Sequence, residues 1–140
     1  MALPTKLTLE IVTPDRAVAH EDVDEVEIPG ADGYFGVLPG HTPLLATLKV
    51  GQLWYRRGQE TTYVSIAFGF AEVLPNRVTI LAQIAERAEE IDISRAEAAR
   101  RRAEERLKKP GPDIDFERAR IAMMKSLIRL QVAQKAGHRS

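Results

Sequence analysis

Arg95, Arg102 and Arg106 follow one another at i, i+7 and i+11, and Arg118, Lys125 and Arg129 repeat the spacing i, i+7, i+11 further along. On helices, each trio would occupy one face. Two basic stripes on facing helices create a site for several negative charges, such as nucleotide phosphates or an acidic protein segment. The plainer alternative is a solvated basic face paired with Glu104, Glu105 and Glu117. A second group lies in the glycine- and proline-rich loop from Gly30 to His41. Gly33, Gly36, Pro39 and Gly40 are turn formers, whereas Tyr34, Phe35 and His41 are not, and an aromatic pair on a loop fits the anchor of an interface. His41 has no second His or paired carboxylate near it in sequence, which argues against a metal or catalytic role. No G-x-x-x-x-G-K-[ST] or G-x-G-x-x-G loop is present, and His20, His41 and His138 show no Ser-His-Asp or H-E-x-x-H spacing. The chain is expected to turn over nothing on its own.

The elements that must position these residues fall into two modules, an α+β arrangement. From Lys6 to about Ala85 the chain reads as short strands separated by turns. Leu7, Leu9 and Ile11 alternate with Thr8 and Glu10, as a half-buried strand does. Val26 and Ile28 alternate next, and Asp32-Gly33 and Pro39-Gly40 bracket the apolar stretch 34–38. Residues 52–57 and 61–67 flank Gly58-Gln59 as a hairpin, and 69–74 and 77–81 flank Pro75-Asn76 likewise. Strands so regularly punctuated predict an antiparallel β-sandwich or barrel over residues 1–87. Residues 88–140 then predict an antiparallel helical hairpin. Ser94-Arg95-Ala96-Glu97 fits a capping box with Asp92 as the alternative cap. Pro110-Gly111-Pro112 ends the first helix, and Asp113 or Asp115 opens the second.

The first helix offers a thin apolar stripe: Ala96, Ala99, Ala103 and Leu107. The second carries two: Phe116, Ala119, Met123, Leu127 and Leu130 on one face, and Ile121, Met124, Ile128 and Val132 on the other. A helix apolar on two sides needs two neighbours. The formal net charge of zero hides a division. Residues 1–94 hold 7 Lys/Arg against 14 Asp/Glu (−7), and residues 95–140 hold 13 against 6 (+7). Such asymmetry suggests modules with different partners. Cysteine is absent, which excludes disulfides and thiolate chemistry. No apolar run approaches the roughly 20 residues of a membrane span, and no signal-peptide pattern is seen.

Four segments together resemble the epsilon subunit of bacterial F-type ATP synthases. They are Leu9-Glu10-Ile11-Val12-Thr13-Pro14, the stretch Gly33-Tyr34-Phe35-Gly36-Val37-Leu38-Pro39-Gly40-His41-Thr42-Pro43-Leu44, the pair Gly69–Pro75 and Val78–Ala82, and Ile91-Asp92-Ile93-Ser94-Arg95-Ala96. The resemblance implies a non-catalytic rotor subunit that couples ion-driven rotation to ATP synthesis. Its sandwich would pack against the gamma subunit and rest on the c-subunit ring through Tyr34, Phe35 and His41. Many family members carry an acidic residue where Tyr34 stands, which argues against a charge-based contact there. The hairpin would lie beside the sandwich or extend into the alpha/beta catalytic head and inhibit ATP hydrolysis. The implied location is the cytoplasmic face of the bacterial membrane, touched only through the c ring. No cofactor is implied, but in some members ATP is a regulatory ligand. Here Ile91, Asp92, Arg95, Ala96, Arg102 and Arg129 match that ATP pattern, Glu86 is a neighbour to it, and Lys125 stands where the better nucleotide binders have Arg. A lysine keeps the charge but loses the bidentate fork.

Two other functions compete. A nucleic-acid-binding hairpin is disfavoured because Glu97, Glu104, Glu105 and Glu117 interleave with the basic residues and Phe116 is the hairpin's one aromatic. A generic regulatory adaptor with a mobile helical arm has the same layout but no rotor.

Overall fold

The alternation that starts at Leu7 becomes a strand with Leu7, Leu9 and Ile11 wholly buried. The computed structural model describes residues 3–109, 111–112 and 115–136. It has strands β1 (Leu7–Val12), β2 (Ala17–Val23), β3 (Glu25–Gly30), β4 (Gly33–Val37), β5 (Leu44–Arg57), β6 (Glu60–Leu74) and β7 (Arg77–Arg87). A 3-10 turn (Ala88–Glu90) then leads to helices α1 (Ile93–Lys108) and α2 (Phe116–Ala136). The sheet order is β2-β1-β7-β6-β5-β3-β4. Every pairing is antiparallel except β1 with β7, which run parallel from Thr8 beside Arg77 to Val12 beside Leu81. Edge strand β2 reaches across to β5, so the sheet doubles over on itself as a sandwich. Leu9, Ile11, Ile28, Leu53, Ile66 and Ile80 are among the residues that fill its core.

Three details depart from the expected strands. The segment Ala17–Val23, without a strand assignment in the sequence, is β2; its polar centre His20-Glu21-Asp22 and the adjacent buried pair Val18-Ala19 break the period-2 pattern that would have marked it. Segments 61–67 and 69–74 form one strand, β6. At Phe68 (φ 61°) and Gly69 (φ 129°) the backbone turns over without leaving the sheet. Before this point Val64 and Ile66 face the core; after it Ala71 and Val73 do. A Cβ on Gly69 would stand 2.0 Å from the carbonyl oxygen of Leu81, so glycine is required on steric grounds as well. Finally, β5 begins at Leu44 and β7 continues to Arg87, making both longer than their alternation suggests.

The flip has a consequence for the hairpin. Ser65 and Ala67 of β6 and Val50 of β5 point outward, yet all are buried, because α1 and α2 cover that part of the sheet. The cap of α1 is Asp92, whose Oδ1 accepts from the N–H of Arg95 at 3.1 Å; Ser94 is already helical. Asp115 opens α2 by accepting from the N–H of Arg118 at 3.0 Å, while the alternative Asp113 and the helix stop at Pro110 lie outside the described residues. Buried Ala96 and Ala103 of α1 meet α2, whose buried positions include Ala119 and Ser126. The small side chains let the axes approach closely. Helix α2 thus has two neighbours, α1 and the sandwich. Near its C-terminal end Val132 and Ala133 pack on Ala88 and Ile91, with Tyr63 and Ile128 closing around them. Phe116, Met124 and Leu127, expected on apolar faces, remain exposed. An alanine stripe covers only a narrow band of its partner, which leaves the rim of α2 open.

Candidate functional site

Glu86, near the end of β7, holds Arg129 of α2 in a fork, with Nε to Oε1 at 2.8 Å and Nη2 to Oε2 at 3.4 Å. Both side chains are about three-quarters buried, with 23% and 25% of their surfaces exposed. One helical turn earlier, the Lys125 ammonium sits 5.6 Å from the centre of the Phe68 ring, presented by the backbone flip in β6. Glu86, Lys125 and Arg129 line one cavity of about 240 Å³ between the sheet and the hairpin, with Val50, Ile66 and Ala99 among its other walls. Arg95 and Arg102 stand one turn on either side of Ala99, on the same flank of α1 but exposed. Arg102 also borders a shallow cleft with Arg101, Glu105, Arg106 and Lys109.

The glutamates expected to neutralise the stripes pair elsewhere. Glu104 binds Arg100 and Lys108, Glu105 binds Lys109, and Glu117 binds Arg120. Among the described residues, Arg95, Arg102 and Arg106 make no ion pair. The result is a row of uncompensated cations beside the Glu86–Arg129 fork, able to receive a multiply charged anion. The other residues of that group have structural positions. Ile91 is buried against α2, Ala96 is buried on α1, and Asp92 caps α1.

The loop group divides three ways. Phe35 packs against the sandwich core. The ring of Tyr34 lies across Gly51, where its hydroxyl accepts from the N–H of Gln52 at 3.0 Å and Lys49 stands 4.5 Å from the ring centre. His41 turns its Nδ1 to the carbonyl of Thr42 at 2.6 Å and serves the turn. Tyr34, half exposed, is thus the one of the three that presents a large surface outward.

A surface without a counterpart among the sequence candidates lies on the outer face beyond the flip. Phe70 of β6 pairs in register with Leu81 of β7, and Leu45 stands on the neighbouring β5. Their exposures of 55%, 54% and 72% describe a contiguous apolar patch of the kind that meets another protein. The alternation Phe70-Ala71-Glu72-Val73 carried the signal: burying Ala71 and Val73 puts Phe70 outside.

The model of a family described as ATP synthase, Delta/Epsilon chain, beta-sandwich domain matches residues 6–88, and its companion, the long alpha-helix domain, matches residues 89–134. The ATP synthase epsilon chain of Syntrophobacter fumaroxidans is 54% identical over 130 residues, covering 93% of this chain and 97% of the relative. That of Geotalea daltonii is 47% identical over 135 residues, covering 96% and 98%. Among solved structures, a chain in the mitochondrial ATP synthase of Euglena gracilis, a complex of OSCP, F1 and c-ring, superposes with a TM-score of 0.80. It is 25% identical, with 99% of this chain and 85% of that one covered. On these grounds the chain belongs to the delta/epsilon chain family of ATP synthases.

Proposed function

We propose that this ATP synthase subunit is a two-part rotor component, with a sandwich that binds its neighbours and a hairpin that regulates. The subunit is non-catalytic. Its sandwich is suited to seat on the gamma subunit through the apolar patch Leu45, Phe70 and Leu81. The end bearing Tyr34 would rest on the c-subunit ring, which holds the protein at the cytoplasmic face of the cell membrane without lipid contact of its own. The hairpin docks on the sandwich in one state, and in the other extends to the alpha/beta head, where it restrains ATP hydrolysis. Nucleotide binding at the seam favours the docked state.

The observation that supports this most directly is the composition of the seam. It is built from alanines, serines and one cavity, held by the Glu86–Arg129 fork and bordered by Arg95 and Arg102, which make no ion pair among the described residues. Few large side chains interlock across it, so separation exposes little apolar area, and an anion bridging Lys125, Arg129, Arg95 and Arg102 would hold both sides together. Two measurements test the reading. ATPase activity of the reconstituted complex rises when residues 88–140 are removed; unchanged activity would leave the hairpin a structural element. Calorimetry on the isolated chain at millimolar ATP gives binding heat that Arg129→Ala abolishes; absence of heat from the folded wild type refutes nucleotide regulation.

A further inference from the structure

Most contacts that fix the hairpin belong to its docking face, but one belongs to the linker alone. Arg16, in the turn between β1 and β2, reaches across to Glu90 in the 3-10 turn that joins sandwich to hairpin. Nη1 donates to Oε2 at 2.6 Å and Nη2 to Oε1 at 3.1 Å, and Nη2 also approaches the carbonyl of Ala85 at 3.4 Å. The turn that launches Arg16 is itself tied. Thr13 N–H donates to the Arg16 carbonyl at 2.9 Å, and Thr13 Oγ1 accepts from the N–H groups of Asp15 and Arg16 at 3.3 Å each. On the other side, Glu90 Oε1 also accepts from the N–H of Arg87 at 3.0 Å, and the Ile91 N–H bonds back to Ala88. One carboxylate therefore joins the β1–β2 turn, the end of β7 and the linker, and its hydrogen bond from Arg16 lowers its pKa.

A helical arm that swings on a short linker must change the backbone angles of that linker. A change of the backbone angles between Ala88 and Glu90 would shift the Glu90 carboxylate away from its Arg16 fork or from the Arg87 N–H. We infer that Arg16 and Glu90 form a hinge latch that biases the hairpin toward the docked state, acting apart from both the docking face and the anion-binding seam. The inference rests on the regulatory reading of the hairpin, and its test separates the two.

The chain has no cysteine, so Ser126→Cys introduces a single thiol at a position 2% exposed on α2, where it lines the cavity between hairpin and sheet. Its rate of alkylation in the isolated full-length protein reports opening of the seam. Ala71→Cys, in the sandwich core, reports global unfolding. Arg16→Ala and Glu90→Gln should each accelerate labelling at position 126 about two- to fivefold, the range for an ion pair of this exposure. The double variant should be no faster than either alone, because both remove the same contact. Glu90→Gln keeps the acceptor for the Arg87 N–H and isolates the charged fork. If Arg129→Ala accelerates labelling and neither latch variant does, or if the two latch effects add, the latch is refuted and the regulatory arm stands. If position 71 accelerates in step with position 126 in every variant, the hairpin does not open as a unit, and both ideas fall.

Discussion

Val132 has no exposed surface and is the largest fully buried side chain that α2 commits to the cluster with Ala88, Ile91 and Ala133. Its truncation to alanine removes two methyl groups from a packed site, which costs about 1.6 kcal/mol at ~0.8 kcal/mol per buried carbon. The residual cavity raises that to about 2 kcal/mol, because alanines on both sides cannot close the gap. The loss falls on docking and not on the sandwich, since this cluster is separate from the sandwich core and Tyr63 is the strand residue packed against it. An opening constant raised by about 2 kcal/mol is roughly 30-fold larger. Alkylation of the Ser126→Cys thiol should therefore accelerate by a factor on the order of 30 in Val132→Ala, while the Ala71→Cys thiol keeps its rate. Leu127→Ala is the matched control: that leucine is 49% exposed on the rim, and its removal should change the rate less than threefold. Equal acceleration by the two variants would refute the argument, as would a parallel rise at position 71.

Other perturbations probe the sandwich and its charges. Gly69→Ala places a methyl group against the Leu81 carbonyl at a φ of 129°, and should lower stability by about 3 kcal/mol or more, a drop in melting temperature above about 10 °C by calorimetry. The Tyr55 phenol is pushed up to about 12, first by burial and then by the neighbouring Glu21 carboxylate. A raised folded value means that its contribution is intact below the ordinary 10 and is lost as pH climbs toward 12. Titration at 295 nm should show a late-ionising tyrosine, and Tyr55→Phe should abolish that late step and flatten alkaline destabilisation. Asp24 carries the opposite sign. Lys6 and then the Gly58 N–H depress its pKa, with Arg56 adding to the effect, so its contribution exists above the ordinary carboxylate value and fades as pH falls through the depressed one. Denaturant midpoints measured from pH 5 down to 2 should fall less steeply in Asp24→Asn than in the wild type.

The split into sandwich and hairpin was legible because local patterns produce it: period-2 alternation in β1, turn dipeptides at Asp32-Gly33 and Pro75-Asn76, and a cap at Asp92. What was not legible depends on distant partners. Nothing near Phe68 announces that β6 turns over, because the reason is the close approach of Leu81 from β7. The parallel pairing of β1 with β7 joins residues nearly seventy positions apart, beyond the reach of any local signal. The site followed the same division. The basic stripes are a matter of spacing and could be read directly, but the sequence left their neutralisation by Glu104, Glu105 and Glu117 open. The structure answers through helix geometry: Arg100, Lys108, Lys109 and Arg120 stand three or four residues from those glutamates on their own helices, so they take them first. The Glu86–Arg129 fork, in contrast, spans forty-three positions and joins α2 to β7 beside the small residues Ser65 and Ala67. The flip in β6 shapes the seam twice. It turns Ser65 and Ala67 outward under the hairpin, and it presents the Phe68 ring to Lys125. A change that straightened β6 at Gly69 would unseat the hairpin before it emptied the sandwich core, which ties the docking of the hairpin to a strand that no single stretch of sequence identifies.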